Sequence, residues 1–152
     1  MSEKYIPADF RRVVAERVGQ CCEYCRTQAH YSADSFTVDH IVPRSLKGCT
    51  TAENLASCCN GCNQHKSNRT SAPDPITGAQ ASLFHPREQH WEEHFTWSQD
   101  CTLMLGLTAT GRATIGALHL NRPGLLNLRR VLYAIGEHPP KMREKLGECG
   151  EL

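Results

Sequence analysis

The sequence predicts an α+β protein of 152 residues, with an N-terminal helix, a small zinc-stabilised core and a C-terminal extension of a hairpin plus helices. Three observations support this class. Apolar residues recur at helical spacing near the start, two C-x-x-C pairs bracket the segment 22–62, and short β-prone runs occur between and after those pairs. We divide the chain into a core at residues 1–70 and an extension at residues 71–152 that packs on the core.

The first predicted element is a helix from Pro7 to Val18. Proline suits the first turn of a helix, and Gly19 suits the C-terminal cap. Four apolar residues fall on one face of this helix, which predicts a buried stripe. The stripe consists of Phe10, Val13, Val14 and Val18.

The core is predicted to contain one short strand and two helices. Ser35–Val38 is a β-prone run, which would place the next two residues, Asp39 and His40, where a strand ends and a loop begins. Thr51 can cap a short helix that continues through Leu55. A further helix is predicted to start at the second C-x-x-C pair and to end near Arg69.

The two C-x-x-C pairs predict a metal site. Two residues between thiolates let one tight turn direct both sulfurs at one ion, so two such turns supply the four ligands of a closed zinc site. The pairs are Cys22 with Cys25 and Cys59 with Cys62, although Cys21 and Cys58 are adjacent alternatives. Such a structural site has no open position for chemistry.

The surroundings of the cysteines favour zinc thiolates over disulfides. The chain has nine cysteines, an odd number, and its first five residues carry charges where an export signal needs an apolar run. No apolar stretch approaches the roughly 20 residues of a membrane span. We therefore expect a cytoplasmic protein without a membrane partner.

The extension is predicted to begin with an irregular boundary at Thr70–Gly78, which is rich in proline and glycine. Phe95 and Trp97 alternate with polar residues, and with Thr102–Leu107 they predict a hairpin. Thr110 and Asn121 are plausible caps of two following helices. The second helix is predicted to end near Gly136 and to bury Leu125, Leu128, Leu132 and Ile135. Trp91 and Trp97 are expected to pack in the core.

Net charge is only +1, which does not fit a protein that coats nucleic acid over its whole surface. Charge is unevenly distributed, since Thr110–Leu146 carries seven Lys or Arg against two acidic residues. This bias fits either solvated helix surface or a strip that faces phosphate, and the sequence leaves both open.

The residues between the C-x-x-C pairs could carry out phosphodiester hydrolysis, which needs a base, a cation and groups that hold both in line. His40, with a reference pKa of about 6.5, is available as a neutral general base. Asp39 offers hard oxygen to a divalent metal, Asn54 could hydrogen bond to the ring of His40, and Asn63 could offer an amide oxygen. The candidate phosphate-binding residues are Arg44, Lys66 and Arg69.

Each candidate also has an ordinary structural explanation. A lone histidine is usually structural, a lone Asp or Asn usually caps a turn or helix, and lone basic residues are usually solvated. The combination favours catalysis: Asp-His-Ile-x-Pro is followed by Asn-Leu and by Cys-x-x-Cys-Asn-x-x-Lys within a four-cysteine frame.

This pattern, from Cys22 to Arg69, resembles the HNH endonucleases, the ββα-metal nucleases, in the form with a four-cysteine structural zinc. The resemblance implies that His40 is the general base, Asp39 binds the catalytic cation and Asn54 orients His40. Asn63 falls on the third signature position as a second metal ligand, which makes an H-N-N variant. An amide there favours Mg²⁺ or Mn²⁺ over a transition metal.

The resemblance further implies cleavage of nucleic acid, expected to be double-stranded DNA, with 5′-phosphate and 3′-hydroxyl products. The extension resembles one that follows the HNH core in some small bacterial proteins, especially cyanobacterial ones, and no role follows from that likeness. The competing hypothesis is a zinc-stabilised nucleic-acid-binding or scaffold module without catalysis.

Overall fold

The structure is a computed structural model that describes residues 6–17 and 19–141. Val18 of the first predicted helix and the basic residues Arg143 and Lys145 lie outside those residues. The helices are α1 (Ala8–Arg17), α2 (Asn60–Lys66), α3 (Trp91–His94), α4 (Ala109–Leu118) and α5 (Pro123–Ala134). The strands are β1 (Thr37–His40), β2 (Leu55–Cys58), β3 (Ser71–Pro73), β4 (Gln80–Ser82), β5 (Phe95–Trp97) and β6 (Met104–Gly106). None of the described helices combines the length and the apolar character needed to cross a bilayer.

The predicted α+β class is confirmed, and its centre is a ββα unit. Strands β1 and β2 pair antiparallel, with Asp39 opposite Ala56 and His40 opposite Leu55. All four residues of β2 are buried, and α2 begins two residues after β2 ends. The unit therefore places the last residues of β1 next to the start of the helix.

The prediction of a helix through Leu55 was wrong at its end. A single 3₁₀ turn covers Ala52–Asn54, and Leu55 already belongs to β2. The sequence Leu-Ala-Ser-Cys has little β propensity of its own. Pairing with β1 and burial on both faces stabilise the strand instead, and neither can be seen in a local sequence window.

Helix α1 packs on β2 through fewer residues than predicted. Val14 is its one buried residue, and it packs with Ile6 and Leu55, with Phe10 partly buried beside them. Val13 is 45% exposed, so the prediction that it joins the buried stripe was wrong. Gly19 has a φ of 67°, as the predicted C-terminal cap requires.

The boundary predicted to lack regular structure is a hairpin. Strands β3 and β4 pair antiparallel, with Pro73 opposite Gln80. The turn is closed by Asp74, whose Oδ1 accepts the N–H of Ile76 at 3.0 Å and whose carbonyl accepts the N–H of Gly78 at 2.7 Å. The turn residues are therefore present as predicted, and the error was to overlook the strands that they join.

The second hairpin, β5 with β6, confirms the predicted pairing of the 95–107 region. The caps of the two last helices differ from those predicted. Thr108 caps α4 by accepting the N–H of Gly111 at 3.1 Å, and α5 begins after Arg122 with proline in its first turn. Asn121 instead binds β6, since its Oδ1 accepts the N–H of Met104 at 2.8 Å.

One hydrophobic cluster joins the ββα unit to the extension. It contains the metal-site cysteines together with Phe84, Phe95, Leu118 and Leu125, and Trp91 and Trp97 pack against it as predicted. Leu128 is only half-buried, and Ile135 is 62% exposed, so the predicted leucine stripe ends before Ile135.

Candidate active site and metal centre

The four predicted cysteine ligands meet at one point. The sulfur atoms of Cys22, Cys25, Cys59 and Cys62 all lie within 4.8 Å of one another, and all four residues are buried. Four clustered thiolates match the tetrahedral donor set of a structural metal site. The sulfur of Cys59 also accepts the N–H of Cys62 at 3.4 Å, which places the second pair at the start of α2. Cys21 and Cys58 are buried outside this group.

A guanidinium group from the extension lies against the second cysteine pair. Nη2 of Arg122 is 3.5 Å from the sulfur of Cys59, and Nη1 is 3.6 Å from that of Cys62. A Cβ added at Gly61 would lie 2.5 Å from Nη2 of Arg122, so the absence of a side chain at this position makes the approach possible. The guanidinium offsets the negative charge that four thiolates would bring to one divalent ion.

His40 is the last residue of β1 and is half-buried. Its Nε2 lies 2.8 Å from Oγ1 of Thr50. Burial lowers the pKa of His40, and the nearby charge of Arg44 lowers it further. A neutral ring is therefore favoured at neutral pH. With Nε2 held by Thr50, Nδ1 can carry the lone pair that accepts a proton.

Asp39 precedes His40 and is 5% exposed. Its Oδ2 accepts the hydroxyl of Tyr24 at 2.9 Å and lies 3.1 Å from Nζ of Lys66. Burial raises the pKa of Asp39, while Lys66 and Tyr24 act in the opposite direction. The carboxylate is thus held in a fixed position by two residues that the sequence did not connect with it.

One surface groove of about 670 Å³ is lined by four of the candidate residues. Asp39 and His40 line it together with Asn63, from α2, and Arg44, from the loop after β1. Among the described residues, the side-chain amide of Asn63 has no hydrogen-bond partner. His65, also on α2, lies against His119, with the ring centroids 4.4 Å apart and the rings tilted. The groove therefore brings together a candidate base, two side-chain oxygen donors and the positively charged side chain of Arg44.

Residues 22–69 match the family of HNH endonucleases. The matched HNH segment covers about a third of the chain and spans the four cysteines, both strands of the ββα unit and α2. Searches of curated proteins and of solved structures returned no match. The family assignment supports a nuclease-type function in general and an association with nucleic acid.

Within the HNH segment, Asn54 acts on His40 only indirectly, through the loop that carries Thr50. Its Oδ1 accepts the N–H of Val42 at 2.8 Å, and its Nδ2 donates to the carbonyls of Val42 and Cys49, both at 2.9 Å. The direct hydrogen bond to the ring considered from the sequence is replaced by that of Thr50. Asn54 closes the loop that carries Thr50, and no sequence signal distinguished this threonine.

The three predicted phosphate-binding residues differ in their environments. Arg44 is exposed, and its Nη1 donates to Oγ1 of Thr50 at 3.1 Å, beside His40. Arg69 is exposed but donates to the carbonyl of Ala117 at 3.0 Å, which connects the end of α2 to α4. Of the three, Arg44 alone lines the groove with His40.

The prediction that Lys66 binds phosphate was wrong, because Lys66 is only 1% exposed. Besides Asp39, its ammonium donates to the carbonyls of His40 at 3.4 Å and Ile41 at 3.1 Å. A buried lysine with these three acceptors cannot reach a phosphate from this position. Its role in the structure is to fasten α2 to the end of β1. The lysine lies in the predicted motif, but its burial could not be read from the motif.

The basic bias of the extension also has a largely structural basis. Arg112 pairs with buried Asp74, with Nη2 2.8 Å from Oδ2, and Arg122 lies on the cysteine cluster. Arg129 is 4% exposed and donates to the carbonyl of Leu120 at 2.7 Å. Three of the arginines that suggested a phosphate-facing strip are thus used inside the fold.

Proposed function

We propose that this protein is a metal-dependent endonuclease that hydrolyses phosphodiester bonds of nucleic acid, in particular double-stranded DNA, with His40 as general base. The observation that carries the proposal is the shared groove: His40, Asp39 and Asn63 reach it from two adjacent elements of the ββα unit. The match of the HNH segment to a nuclease family supports the same chemistry.

His40 would take the proton from the attacking water. Its lowered pKa keeps the ring neutral at cellular pH, and the hydrogen bond from Nε2–H to Thr50 would leave Nδ1 as the basic nitrogen. Asn54 supports this geometry because it holds the loop on which Thr50 lies. Arg44, which lines the groove, would bind a phosphate oxygen.

Asp39 and Asn63 would hold the catalytic divalent cation. A carboxylate and an amide offer hard oxygen donors, a set that fits Mg²⁺ or Mn²⁺. When bound, such a cation supplies positive charge that stabilises the phosphate and the leaving oxygen. Tyr24 fixes the carboxylate of Asp39 at 2.9 Å, so one ligand is oriented by the protein itself.

The cysteine cluster would hold a structural zinc ion, in a separate site from the catalytic cation. Four thiolates complete a tetrahedral shell and leave no position for substrate. The ion would link the loop at Cys22–Cys25 to the start of α2, on which Asn63 lies. Its contribution to cleavage is therefore to position the elements of the groove.

Nicking of supercoiled plasmid with Mn²⁺ or Mg²⁺ tests the proposal. We expect cleavage that a chelator abolishes, products with 5′-phosphate and 3′-hydroxyl ends, and a loss of at least about a hundredfold for His40→Ala, since general base catalysis contributes that much. His30→Ala is the matched control, because His30 is exposed and outside the groove. Activity that survives His40→Ala would rule out this mechanism.

A second candidate function is a nucleic-acid-binding module without catalysis. The buried ion pair favours it, because the ammonium of Lys66 already neutralises the carboxylate that would bind the catalytic cation. This alternative predicts binding of DNA with no cleavage under any divalent metal. The same digestion series, with binding measured in parallel, separates the two functions.

A further inference from the structure

One wall of the groove comes from outside the HNH segment. Arg11, on α1, and Ile6, just before α1, line the same groove as Asp39 and His40. The matched family segment begins only at residue 22, so no family pattern assigns these residues a part in the site. The N-terminal helix therefore contributes a cationic side chain to the surface on which the reaction is proposed to occur.

Arg11 is held in place yet keeps hydrogen-bonding capacity. Its Nε donates to the carbonyl of Ile6 at 3.2 Å, which restricts the side chain. Both Arg11 and Arg44 are exposed, and neither forms an ion pair within the described ranges 6–17 and 19–141. The terminal nitrogens of Arg11 have no hydrogen-bond partner among the described residues, and a guanidinium in this state can bind a phosphate in a two-point geometry.

The groove has two such cations at separate points of the chain, one on α1 and one in the loop after β1. A single phosphodiester at His40 would need one of them at most. A polynucleotide strand presents further phosphates on either side of the cleaved bond. The arrangement thus matches a charged strand better than an isolated diester.

We infer that Arg11 binds a backbone phosphate next to the one that Arg44 contacts beside His40, so that α1 is part of the nucleic-acid-binding surface. This inference depends on the proposed function for the identity of the ligand. It assigns to α1 a substrate-binding role in addition to its packing on β2. Binding through α1 is independent of sequence, because the contacts are made to phosphates.

The test measures binding of a fluorescent duplex to the full-length protein that carries His40→Ala, which prevents cleavage. Added Arg11→Gln should weaken binding at least about threefold and reduce the slope of log affinity against log salt by about one. Arg12→Gln is the matched control, since Arg12 is on the same helix, is 66% exposed and pairs with Asp9. Arg11→Lys should restore most of the salt slope, because it keeps the charge.

Cleavage rates separate this inference from the proposed function. In the active protein, Arg11→Gln should slow cleavage of plasmid more than cleavage of a small chromogenic phosphodiester, which has no flanking phosphates. Arg12→Gln should leave both rates unchanged, because Arg12 does not line the groove. Equal affinity of the Arg11→Gln and Arg12→Gln proteins would overturn the inference even if plasmid is cleaved. A selective Arg11 effect on binding without any cleavage would support the inference and refute the nuclease.

Discussion

Arg122 connects the extension to the cysteine cluster through its guanidinium group. Its two terminal nitrogens approach two of the four sulfurs, and the same group donates to the carbonyls of Leu118 and His119, each at 3.2 Å. Groups that hydrogen bond to metal ligands tune both their basicity and their orientation. Arg122 should therefore affect how tightly the cysteine cluster binds a metal ion.

We expect Arg122→Met to release zinc to a chelator about 10 to 100 times faster than the parent protein, because loss of a group that hydrogen bonds to metal ligands lowers metal affinity by about that factor. The measurement is the rate of colour formation with a chromogenic zinc chelator. Arg130→Met is the control, because Arg130 is exposed and its side chain hydrogen bonds only to Asn127 among the described residues. Equal release rates for these two variants would show that Arg122 does not stabilise the site.

Single residues also show where sequence reasoning succeeded and where it could not. The spacing of the cysteines identified the four clustered thiolates because C-x-x-C geometry is local. The roles of Lys66, Tyr24 and Thr50 depend on which side chains meet across β1, β2 and α2. Such contacts arise from tertiary packing, so the lysine assigned to phosphate proved to be the buried partner of Asp39.

The β3–β4 hairpin is joined to α4 by a buried ion pair. Asp74 is fully buried, and both of its oxygens accept from Arg112, at 2.9 and 2.8 Å. These hydrogen bonds hold the pKa of Asp74 well below its ordinary value. A depressed carboxyl pKa stabilises the fold above the pKa of the unfolded chain, about 3.9, and this contribution is lost as pH falls further.

We predict that the urea midpoint of the wild type falls as pH is lowered from 5 towards 2, and that Asp74→Asn lowers the midpoint at pH 5 and flattens this dependence. The amide of the variant does not ionise, so the variant lacks the pH-dependent contribution of Asp74 to the free energy of unfolding. Asp34→Asn, at an exposed position, should behave as the wild type. Parallel pH curves for Asp74→Asn and the wild type would contradict the assignment.

Strands β2 and β3, which were not predicted from the sequence, escaped prediction for the same physical reason. Strands β2 and β3 are short and contain alanine, serine or proline rather than β-branched residues. Each exists because a partner strand and a packed helix stabilise it. The hairpin of β5 and β6 was predicted because aromatic and apolar residues alternate with a recognisable turn between them. The local sequence pattern was thus sufficient to predict a strand only where the side chains themselves favour β structure.

For the whole molecule, the cysteine cluster and the extension share one hydrophobic cluster. Residues on both sides of residue 70 contribute to it, so loss of the metal should affect the entire fold. Structural zinc supplies a large part of the folding free energy of small metal domains. Cooperative unfolding on metal removal is the expected behaviour.

We predict that Cys25→Ser abolishes stoichiometric zinc binding and lowers the melting temperature by more than about 10 °C. Cys49→Ser is the control, because Cys49 is exposed and outside the cluster. Metal content and circular dichroism melting on the full chain give both readouts. One zinc per chain with wild-type melting in Cys25→Ser would show that other residues hold the ion.

Arg122 lies against Gly61 and the cysteine sulfurs, so residues far beyond the HNH segment contribute to the metal site. A peptide that ends at residue 70 would retain every proposed ligand and catalytic group. It would lose Arg122 and more than half of the buried residues in the shared hydrophobic cluster. We therefore expect the smallest part of the chain that folds on its own to be longer than the HNH segment.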